Sequence, residues 1–279
     1  MRLNCAGGEL DLATPKVMGV LNVTPDSFSD GGRFADTTAA IRRAHDMLDE
    51  GADLIDVGGE STRPGAAPVT AAEEIGRVVP VIEALAARGA LVSIDTSKPD
   101  VIRAAVAAGA RLVNDVRALR EPGALDAVAS TKAAVCLMHM QGEPATMQRA
   151  PTYRDVLAEV TDFLNERVAA CLERGIARDR LSVDPGFGFG KTLEHNLTLL
   201  RGLPELVAGT GLPVLAGLSR KSMLAGITGR PVDQRLAGSL ALAFAALEGG
   251  ARIIRCHDVA ETRDVVKVWV AMRDAGGMA

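Results

Sequence analysis

The sequence alternates eight times between a short apolar run of strand length and a longer segment of helical period. The apolar runs lie at 16–23, 54–57, 91–94, 112–114, 133–138, 181–183, 214–218 and 252–256. This alternation is typical of a parallel sheet covered by helices, and eight units indicate that the sheet closes on itself. No Pro/Gly/Ser-rich linker or shift in composition interrupts it. We therefore predict an α/β fold with a single domain over 1–279, a (β/α)8 TIM barrel, in which 1–13 form a short N-terminal β-hairpin.

The helical segments and the first turn support a barrel over its main rival. Helices are predicted at 37–50, 71–88, from 99 onward, 124–130, 153–174, 193–203, 221–227, 234–248 and 260–273. A doubly wound sheet, the rival, requires a Gly-rich dinucleotide turn after the first strand. The sequence there reads Asn22-Val-Thr-Pro-Asp26, which lacks that turn.

Charge and cysteine usage exclude several classes of function. A net charge of −4 argues against a nucleic-acid-binding face. The four cysteines are scattered without a CxxC pair, which favours reduced thiols in a cytoplasmic protein over disulfides or a zinc site. The sequence lacks both a signal-peptide core at its start and any uncharged apolar run of the ~18 residues that a membrane helix needs. We expect a cytoplasmic protein with neither a nucleic-acid nor a membrane partner.

Polar side chains follow every predicted barrel strand. In order they are Asn22, the segment Gly58–Gly65, Asp95, Asn114 with Asp115, His139, Asp184, Ser219–Ser222, and Arg255 with His257. The carboxyl ends of barrel strands form one rim, which is where such folds place their active sites. Helix capping explains any one of these residues. It does not explain all eight positions, so the rim is the predicted active site.

The residue types at this rim indicate a ring-binding pocket. Asp95, Asn114 and Asp184 are acceptors suited to a flat heterocycle rich in N–H donors, such as a 2-amino-4-oxo ring. Lys221 is suited to a ring carbonyl or nitrogen. The strand period leaves open whether Asn114 or Asp115 faces inward, and Asp95 competes with a role as a helix cap. Met138 is interpreted as pocket wall or core filler.

Other rim residues suit phosphate groups. Arg255 and His257 alternate along one strand and therefore face the same side. With Ser61, Thr62 and Arg63 they form a candidate phosphate site. Asn22 offers a neutral oxygen for one contact to a Mg²⁺ ion that is shared with phosphates. In addition, Phe28 lies in the polar loop from Thr24 to Gly32, where a phenyl ring is better explained by covering a ligand than by packing.

Two motifs resemble sites that the sequence does not support. The segment 186–192 is similar to a phosphate-binding P-loop, but Pro185 stands where the motif requires its first glycine. A Gly-rich substrate loop is the better interpretation. His139 and His257 lack a third nitrogen or sulfur ligand for zinc.

The motifs together resemble the dihydropteroate synthase family along nearly the full chain. They are Met18-Gly-Val-Leu-Asn-Val-Thr-Pro-Asp-Ser-Phe-Ser-Asp-Gly-Gly32, Asp56-Val-Gly-Gly-Glu-Ser-Thr-Arg-Pro-Gly65, Ser93-Ile-Asp-Thr96, Asn114-Asp115, Met138-His-Met140, Asp184-Pro-Gly-Phe-Gly-Phe-Gly-Lys191, Gly217-Leu-Ser-Arg-Lys-Ser222 and Arg255-Cys-His-Asp258. The resemblance implies that a dihydropterin methyl diphosphate condenses with p-aminobenzoate, giving dihydropteroate and diphosphate for folate synthesis. It also implies Mg²⁺ as cofactor and a homodimer.

The resemblance further implies roles for individual residues. Those implied to bind the pterin are Asp95, Asn114, Met138, Asp184, Gly217 and Lys221. Those implied to bind diphosphate are Asn22, which also meets the metal, Thr62, Arg63, Arg255 and His257. Those implied to surround p-aminobenzoate, where sulfonamides compete, are Phe28, Thr62, Pro64, Phe189, Lys221 and Ser222. Those implied to carry the reaction are Asn22, Asp95, Lys221, Arg255 and His257.

Two alternatives share the pterin residues. One is a pterin-binding methyltransferase module, and the other is a non-catalytic pterin-binding homologue. The segments 61–65 and 219–222, together with Arg255 and His257, favour a site for diphosphate and aminobenzoate over the first alternative. The second predicts damage at the rim, and the sequence shows none.

Overall fold

A computed structural model describes residues 1–24, 32–61, 69–143 and 146–275, without the side chains of 32–36. Its strands are β1 Arg2–Cys5, β2 Gly8–Asp11, β3 Lys16–Asn22, β4 Leu54–Gly58, β5 Val92–Asp95, β6 Leu112–Asp115, β7 Ala134–Met138, β8 Leu181–Asp184, β9 Leu215–Ala216 and β10 Ile253–Cys256. Its α-helices are α1 Gly32–Asp49, α2 Ala71–Ala86, α3 Pro99–Ala107, α4 Ala124–Ala129, α5 Val156–Glu173, α6 Leu193–Arg201, α7 Leu203–Thr210, α8 Met223–Thr228, α9 Leu236–Glu248 and α10 Val259–Ala275.

Strands β3 to β10 form the predicted parallel barrel. Their order in the sheet is β8-β7-β6-β5-β4-β3-β10-β9. A parallel bridge between Val183 and Val214 joins the two end strands, and the Val183 amide donates to the Pro213 carbonyl at 3.0 Å. The (β/α)8 architecture is therefore confirmed, whereas the assignment of 1–279 to one domain stays a prediction.

The strand register sets the height of the candidate residues. Asn22 pairs with Gly58, Gly58 with Asp95, and Asp95 with Asn114. Because paired residues of a parallel sheet lie at one level, these positions share the carboxyl-end rim.

The barrel interior below that rim is apolar. The hairpin β1–β2, predicted from Gly7 and Gly8, is confirmed. Leu3 and Cys5 of this hairpin form one buried cluster with Met18, Leu54 and Leu112 from the lower strands. The hairpin thus plugs the amino-terminal end of the barrel, so the opposite rim is the open one. Outside the strands, a second and larger apolar cluster joins them to the helices, and it includes Cys256.

The structure corrects two helix boundaries. The helix predicted at 193–203 is α6, which ends at Arg201 because Gly202 follows it, and a further helix that was not predicted, α7, begins at Leu203 with Pro204 in its first turn, where proline is tolerated. The helix predicted from 153 begins at Val156, since the Asp155 side chain caps it by accepting from the amides of Leu157 and Ala158. No helix within the described ranges is both long enough and apolar enough to cross a membrane.

Candidate active site

Arg255 is the centre of the rim. From β10 its Nε donates to Asp56 Oδ2 at 2.6 Å, and its Nη2 donates to Asp95 Oδ2 at 2.8 Å. Burial disfavours the charged guanidinium, but Asp56 and Asp95 outweigh it and raise the Arg255 pKa. Arg255 therefore stays charged. Asp95 faces the pocket and does not cap α3, because Lys98 occupies the cap position.

Asp56 is a site residue to which sequence reasoning gave no role. It is fully buried in β4, and it also accepts from Asn114 Nδ2 at 2.9 Å. Within the described ranges its Oδ1 has no hydrogen-bond partner. The sequence did contain a signal that Asp56 has a role. It is a carboxylate inside the otherwise apolar run Leu54-Ile-Asp-Val57, and burying an unpaired charge is costly.

The ambiguity between Asn114 and Asp115 is resolved. Asn114 faces the barrel interior through its bond to Asp56, and its Oδ1 has no partner in the part of the chain that the structure describes. Asp115 faces the other way. It accepts from the Ser97 hydroxyl and from the Arg117 and Leu119 amides, so it organises the turn after β6.

Asp184 and Lys221 form the opposite wall. Asp184 is buried, and its Oδ1 accepts from the Gly186 amide at 2.7 Å. A Cβ built on Gly217 would lie 3.9 Å from Asp184 Oδ2, so a glycine there leaves space beside the carboxylate. Lys221 Nζ lies 4.1 Å from the centre of the Phe189 ring, a cation–π contact.

Burial perturbs the charges of this pocket. It raises the pKa of Asp95 to about 7, although Arg255 opposes the shift. It also raises the pKa of Asp184. It lowers the pKa of Lys221 to about 8, against the effect of Asp184. Strongly perturbed groups converging in one cleft are typical of a functional site.

His257 is neutral at pH 7. Burial, followed by the nearby Arg255, lowers its pKa to about 4. The Ser219 hydroxyl lies 3.0 Å from Nδ1 and also accepts from the His257 amide at 3.2 Å. When that hydroxyl donates to Nδ1, the ring keeps its hydrogen on Nε2, which is then available to an incoming acceptor.

Met138 lies in an apolar wall. It is buried with Val116, Met140 and Met147 in a cluster against which Phe189 packs. Met138 and Phe189 therefore lie on the same side of the pocket, and their roles beside a bound ring stay a prediction. Ser222 is exposed at the start of α8.

Some predicted residues cannot be placed. Phe28, Thr62, Arg63 and Pro64 lie outside the described residues.

Asn22 is half-buried at the end of β3, and a Cβ built on Gly58 would lie 3.7 Å from its Oδ1. Among the described residues, no three His, Cys, Asp or Glu side chains are arranged to hold a metal ion.

Comparisons with known proteins agree with this geometry. A family model described as "Pterin binding enzyme" matches residues 18–257. The dihydropteroate synthase of Escherichia coli strain K12 is 54% identical over 269 residues, covering 96% of this chain and 95% of that protein. The Haemophilus influenzae enzyme of the same name is 50% identical, covering 99% and 100%.

Solved structures show the same fold at similar identity. Yersinia pestis dihydropteroate synthase with a sulfonamide drug has a TM-score of 0.93 and 52% identity, covering 98% of this chain and 100% of that chain. The Xanthomonas albilineans enzyme with 4-aminobenzoic acid has a TM-score of 0.92 and 54% identity, covering 98% of each. The Burkholderia cenocepacia enzyme with 7,8-dihydropteroate has a TM-score of 0.91 and 48% identity, covering 100% and 98%.

Proposed function

The chain belongs to the dihydropteroate synthase family, and on that premise we propose a reaction for its rim. The substrates are 7,8-dihydropterin-6-ylmethyl diphosphate and p-aminobenzoate, and the products are 7,8-dihydropteroate and diphosphate. The enzyme is a transferase that moves a pterinylmethyl group to an arylamine, in folate biosynthesis.

The observation that carries the proposal is the network of Asp56, Asp95, Asn114 and Arg255. Buried Asp56 Oδ1 and Asn114 Oδ1 lack partners within the described ranges. Unpartnered buried acceptors are costly unless a ligand satisfies them. Asn114, Asp95 and Asp184 accept from the N–H groups of the pterin, Lys221 donates to its carbonyl or ring nitrogen, and Met138 and Gly217 border the ring.

The diphosphate is held at the edge of the same network. Arg255 supplies positive charge, and neutral His257 supplies an N–H donor. Thr62 and Arg63 complete the set. Donors already in place where negative charge develops stabilise the leaving group without reorganisation.

Asn22 is the proposed protein ligand of Mg²⁺. Its side chain has no hydrogen-bond partner among the described residues, and a single neutral oxygen suits an ion that binds mainly through phosphates and water. When bound, Mg²⁺ would neutralise charge on the diphosphate.

The second substrate lies above the pterin. Phe189, Lys221 and Ser222 form the described part of the p-aminobenzoate site, with Phe28, Thr62 and Pro64 as its proposed remainder. Phe189 supplies an apolar face, and Lys221 lies beside both rings. Sulfonamides compete for this position.

The chemistry is a dissociative substitution. The C–O bond to diphosphate breaks first, and both electrons leave with the oxygen. The electron-rich pterin and the Asp95 and Asp184 carboxylates stabilise the cation left on the methylene carbon. The aniline nitrogen then attacks that carbon and loses a proton to water, so no strong base is required. We also propose that the enzyme is a cytoplasmic homodimer with no nucleic-acid or membrane partner.

The test is diphosphate release by the purified chain, with both substrates, each alone, and with or without Mg²⁺. We expect release coupled one-to-one to dihydropteroate formation only when both substrates and Mg²⁺ are present. Binding of the pterin diphosphate without turnover would contradict the proposal and favour the pterin-binding homologue or methyltransferase module.

A further inference from the structure

Lys191 is a buried lysine in the segment after β8 to which the proposed reaction gives no role. Its side chain is 3% exposed. Its Nζ lies 2.8 Å from His139 Nδ1, 3.0 Å from the Gly186 carbonyl and 3.1 Å from the Phe189 carbonyl. Three acceptors match the three N–H bonds of an ammonium group. Nζ therefore has no hydrogen left for a phosphate, which agrees with the rejection of a P-loop.

Burial of this lysine is costly. No carboxylate forms an ion pair with Lys191 in the described part of the chain. Burial lowers its pKa to about 7, although Asp184 opposes the shift. A buried ammonium without a paired carboxylate destabilises the fold unless its hydrogen bonds compensate. The three hydrogen bonds of Lys191 Nζ are the compensation that the structure supplies.

His139 is suited to accept one of them. It is buried at the exit of β7, where its amide donates to the Asp184 carbonyl at 3.0 Å and its ring packs edge-on against Phe163 at 4.9 Å. Burial lowers its pKa to about 2, so the ring is neutral. When that ring keeps its hydrogen on Nε2, Nδ1 is the acceptor for Lys191 Nζ. The Lys191–His139 pair thus joins the end of β7 to the loop after β8.

That loop is pressed against the segment after β7. Gly186 has φ +70°, and a Cβ there would lie 1.8 Å from the His139 carbonyl oxygen. Gly190 has φ +62°, and a Cβ there would lie 2.4 Å from the Gln141 carbonyl oxygen. Glycines therefore permit the close approach, and Lys191 supplies the bonds that hold the loop closed from within.

The loop carries two groups of the proposed site. Phe189 lies against Lys221 Nζ, and the Gly186 amide donates to Asp184 Oδ1. We propose that Lys191 and His139 are a positioning pair that fixes loop 186–190 and thereby places the Phe189 ring for p-aminobenzoate. This inference rests on the proposed function. The role is one of positioning, because the contacts of Lys191 Nζ are to groups of the chain itself.

The Phe189 ring depends on the pair more than Asp184 does. Asp184 is held by the sheet as well as by the loop, because it pairs with Met138 in register. Phe189 packs against the Met138 cluster, but its backbone lies in the loop and not in the sheet. Loss of the pair should therefore affect p-aminobenzoate more than the pterin diphosphate.

The experiment compares two substitutions at His139 with Lys191→Met. Leu removes the acceptor, whereas Asn keeps an oxygen near the position of Nδ1. We expect Lys191→Met and His139→Leu to raise the KM for p-aminobenzoate about tenfold, with the KM for pterin diphosphate changed less than about threefold. His139→Asn should restore most of the affinity. Lys267→Met, at an exposed lysine paired with Asp264, is the matched control.

A double variant tests whether the two residues act as one unit. Lys191→Met with His139→Leu should be no worse than Lys191→Met alone, since that variant already lacks the bond to His139. Three outcomes would overturn the proposal that the two residues act as a positioning pair. They are losses that add in the double variant, equal rises in the KM values for the two substrates, and a His139→Asn variant that behaves like His139→Leu. If Lys191→Met does not fold, the two His139 variants alone decide.

A second readout separates this inference from the proposed reaction. Wild-type turnover in the same assay tests the reaction. Hydrogen exchange at the amides of 186–190 tests the pair even in a chain without turnover. We expect faster exchange in Lys191→Met than in wild type or Lys267→Met. Unchanged exchange would overturn the inference and leave the proposed reaction standing.

Discussion

The lower and upper halves of the barrel interior are built by the same strands but by opposite chemistry. On three strands an apolar inward residue in the lower half is followed two positions later by a polar one in the upper half. These pairs are Leu54 and Asp56, Leu112 and Asn114, and Ile253 and Arg255. Alternation in a strand places both members of each pair on the inner face. Backbone geometry is therefore shared, and side-chain chemistry alone distinguishes scaffold from site.

The lower half of the barrel interior stabilises the fold, whereas the upper half lowers its stability. The three lower residues are fully buried in one apolar cluster that the hairpin completes. The upper half buries Asp56 completely and places Arg255 between two carboxylates. Buried ion pairs seldom repay their desolvation. We infer that the lower half supports an upper half that is kept for binding.

The largest expected effect comes from breaking the upper network at Asp56. Asp56→Ala leaves half-buried Arg255 with one carboxylate, and Asn114 Nδ2 loses its acceptor. Removing one partner of a buried pair costs about 3–5 kcal/mol of unfolding free energy. Urea denaturation of wild type and variant measures it. A loss of unfolding free energy below about 1 kcal/mol would show that the stability of the network does not depend on Asp56.

Leu54→Ala is the matched change in the lower half. Truncating a fully buried leucine costs about 3 kcal/mol through lost apolar burial and the cavity it leaves. Because Leu54 is two residues below the network, we expect the KM for pterin diphosphate to stay within about twofold. Denaturation and steady-state kinetics check both values. A large rise in that KM would show that the two halves are not independent.

A pH series sharpens the comparison. Burial raises the Asp95 pKa from 3.8 to about 7. The folded state thus keeps a proton that the unfolded chain releases near pH 4, and this stabilisation is lost as the pH rises toward 7. Between pH 5 and pH 8, wild type should lose up to about 3 kcal/mol more than Asp95→Asn.

The Asp95→Asn variant also weakens the contact to Arg255, but an amide does not titrate, so the variant's own contact stays constant in this range. Parallel curves of unfolding free energy against pH for the two proteins would contradict the raised pKa. Leu54→Ala serves as control, since a lower-half change should leave the pH dependence as in wild type.

The lower half was easier to predict from sequence than the upper half. Periodicity located the strands, and Gly7 and Gly8 predicted the hairpin. Residues such as Asn22, Asp95 and Asp184 were found because they end strands. Asp56 was missed as a site residue because it lies inside a strand, where only its partners from β6 and β10 reveal a role.

Lys191 illustrates the same limit. Its motif was correctly separated from a P-loop by Pro185, but sequence gave no partner for its ammonium group. That partner, His139, is 52 positions away. Local patterns predict which face a residue occupies, whereas bonds between distant strands require the closed barrel.

Asp184→Asn tests the division of labour within the upper half. It keeps the shape but removes a charge that accepts from pterin donors, and a hydrogen bond to a charged group contributes about 1.5–3 kcal/mol. We expect pterin diphosphate affinity to fall by about 2 kcal/mol and p-aminobenzoate affinity to change far less. Calorimetric titration with each ligand measures both. Equal losses would contradict the assigned role.

The smallest expected effect is at Ser93, which pairs in register with Asp56 and so lies at its level in the upper half. Its buried Oγ has no partner among the described residues. An unpaired buried hydroxyl costs desolvation and returns nothing, so Ser93→Ala should change the unfolding free energy by less than about 0.5 kcal/mol, or raise it. Urea denaturation of Ser93→Ala, carried out alongside Asp56→Ala, measures this change in unfolding free energy. A loss above about 1 kcal/mol would mean that Ser93 is hydrogen-bonded and belongs to the polar network at the level of Asp56.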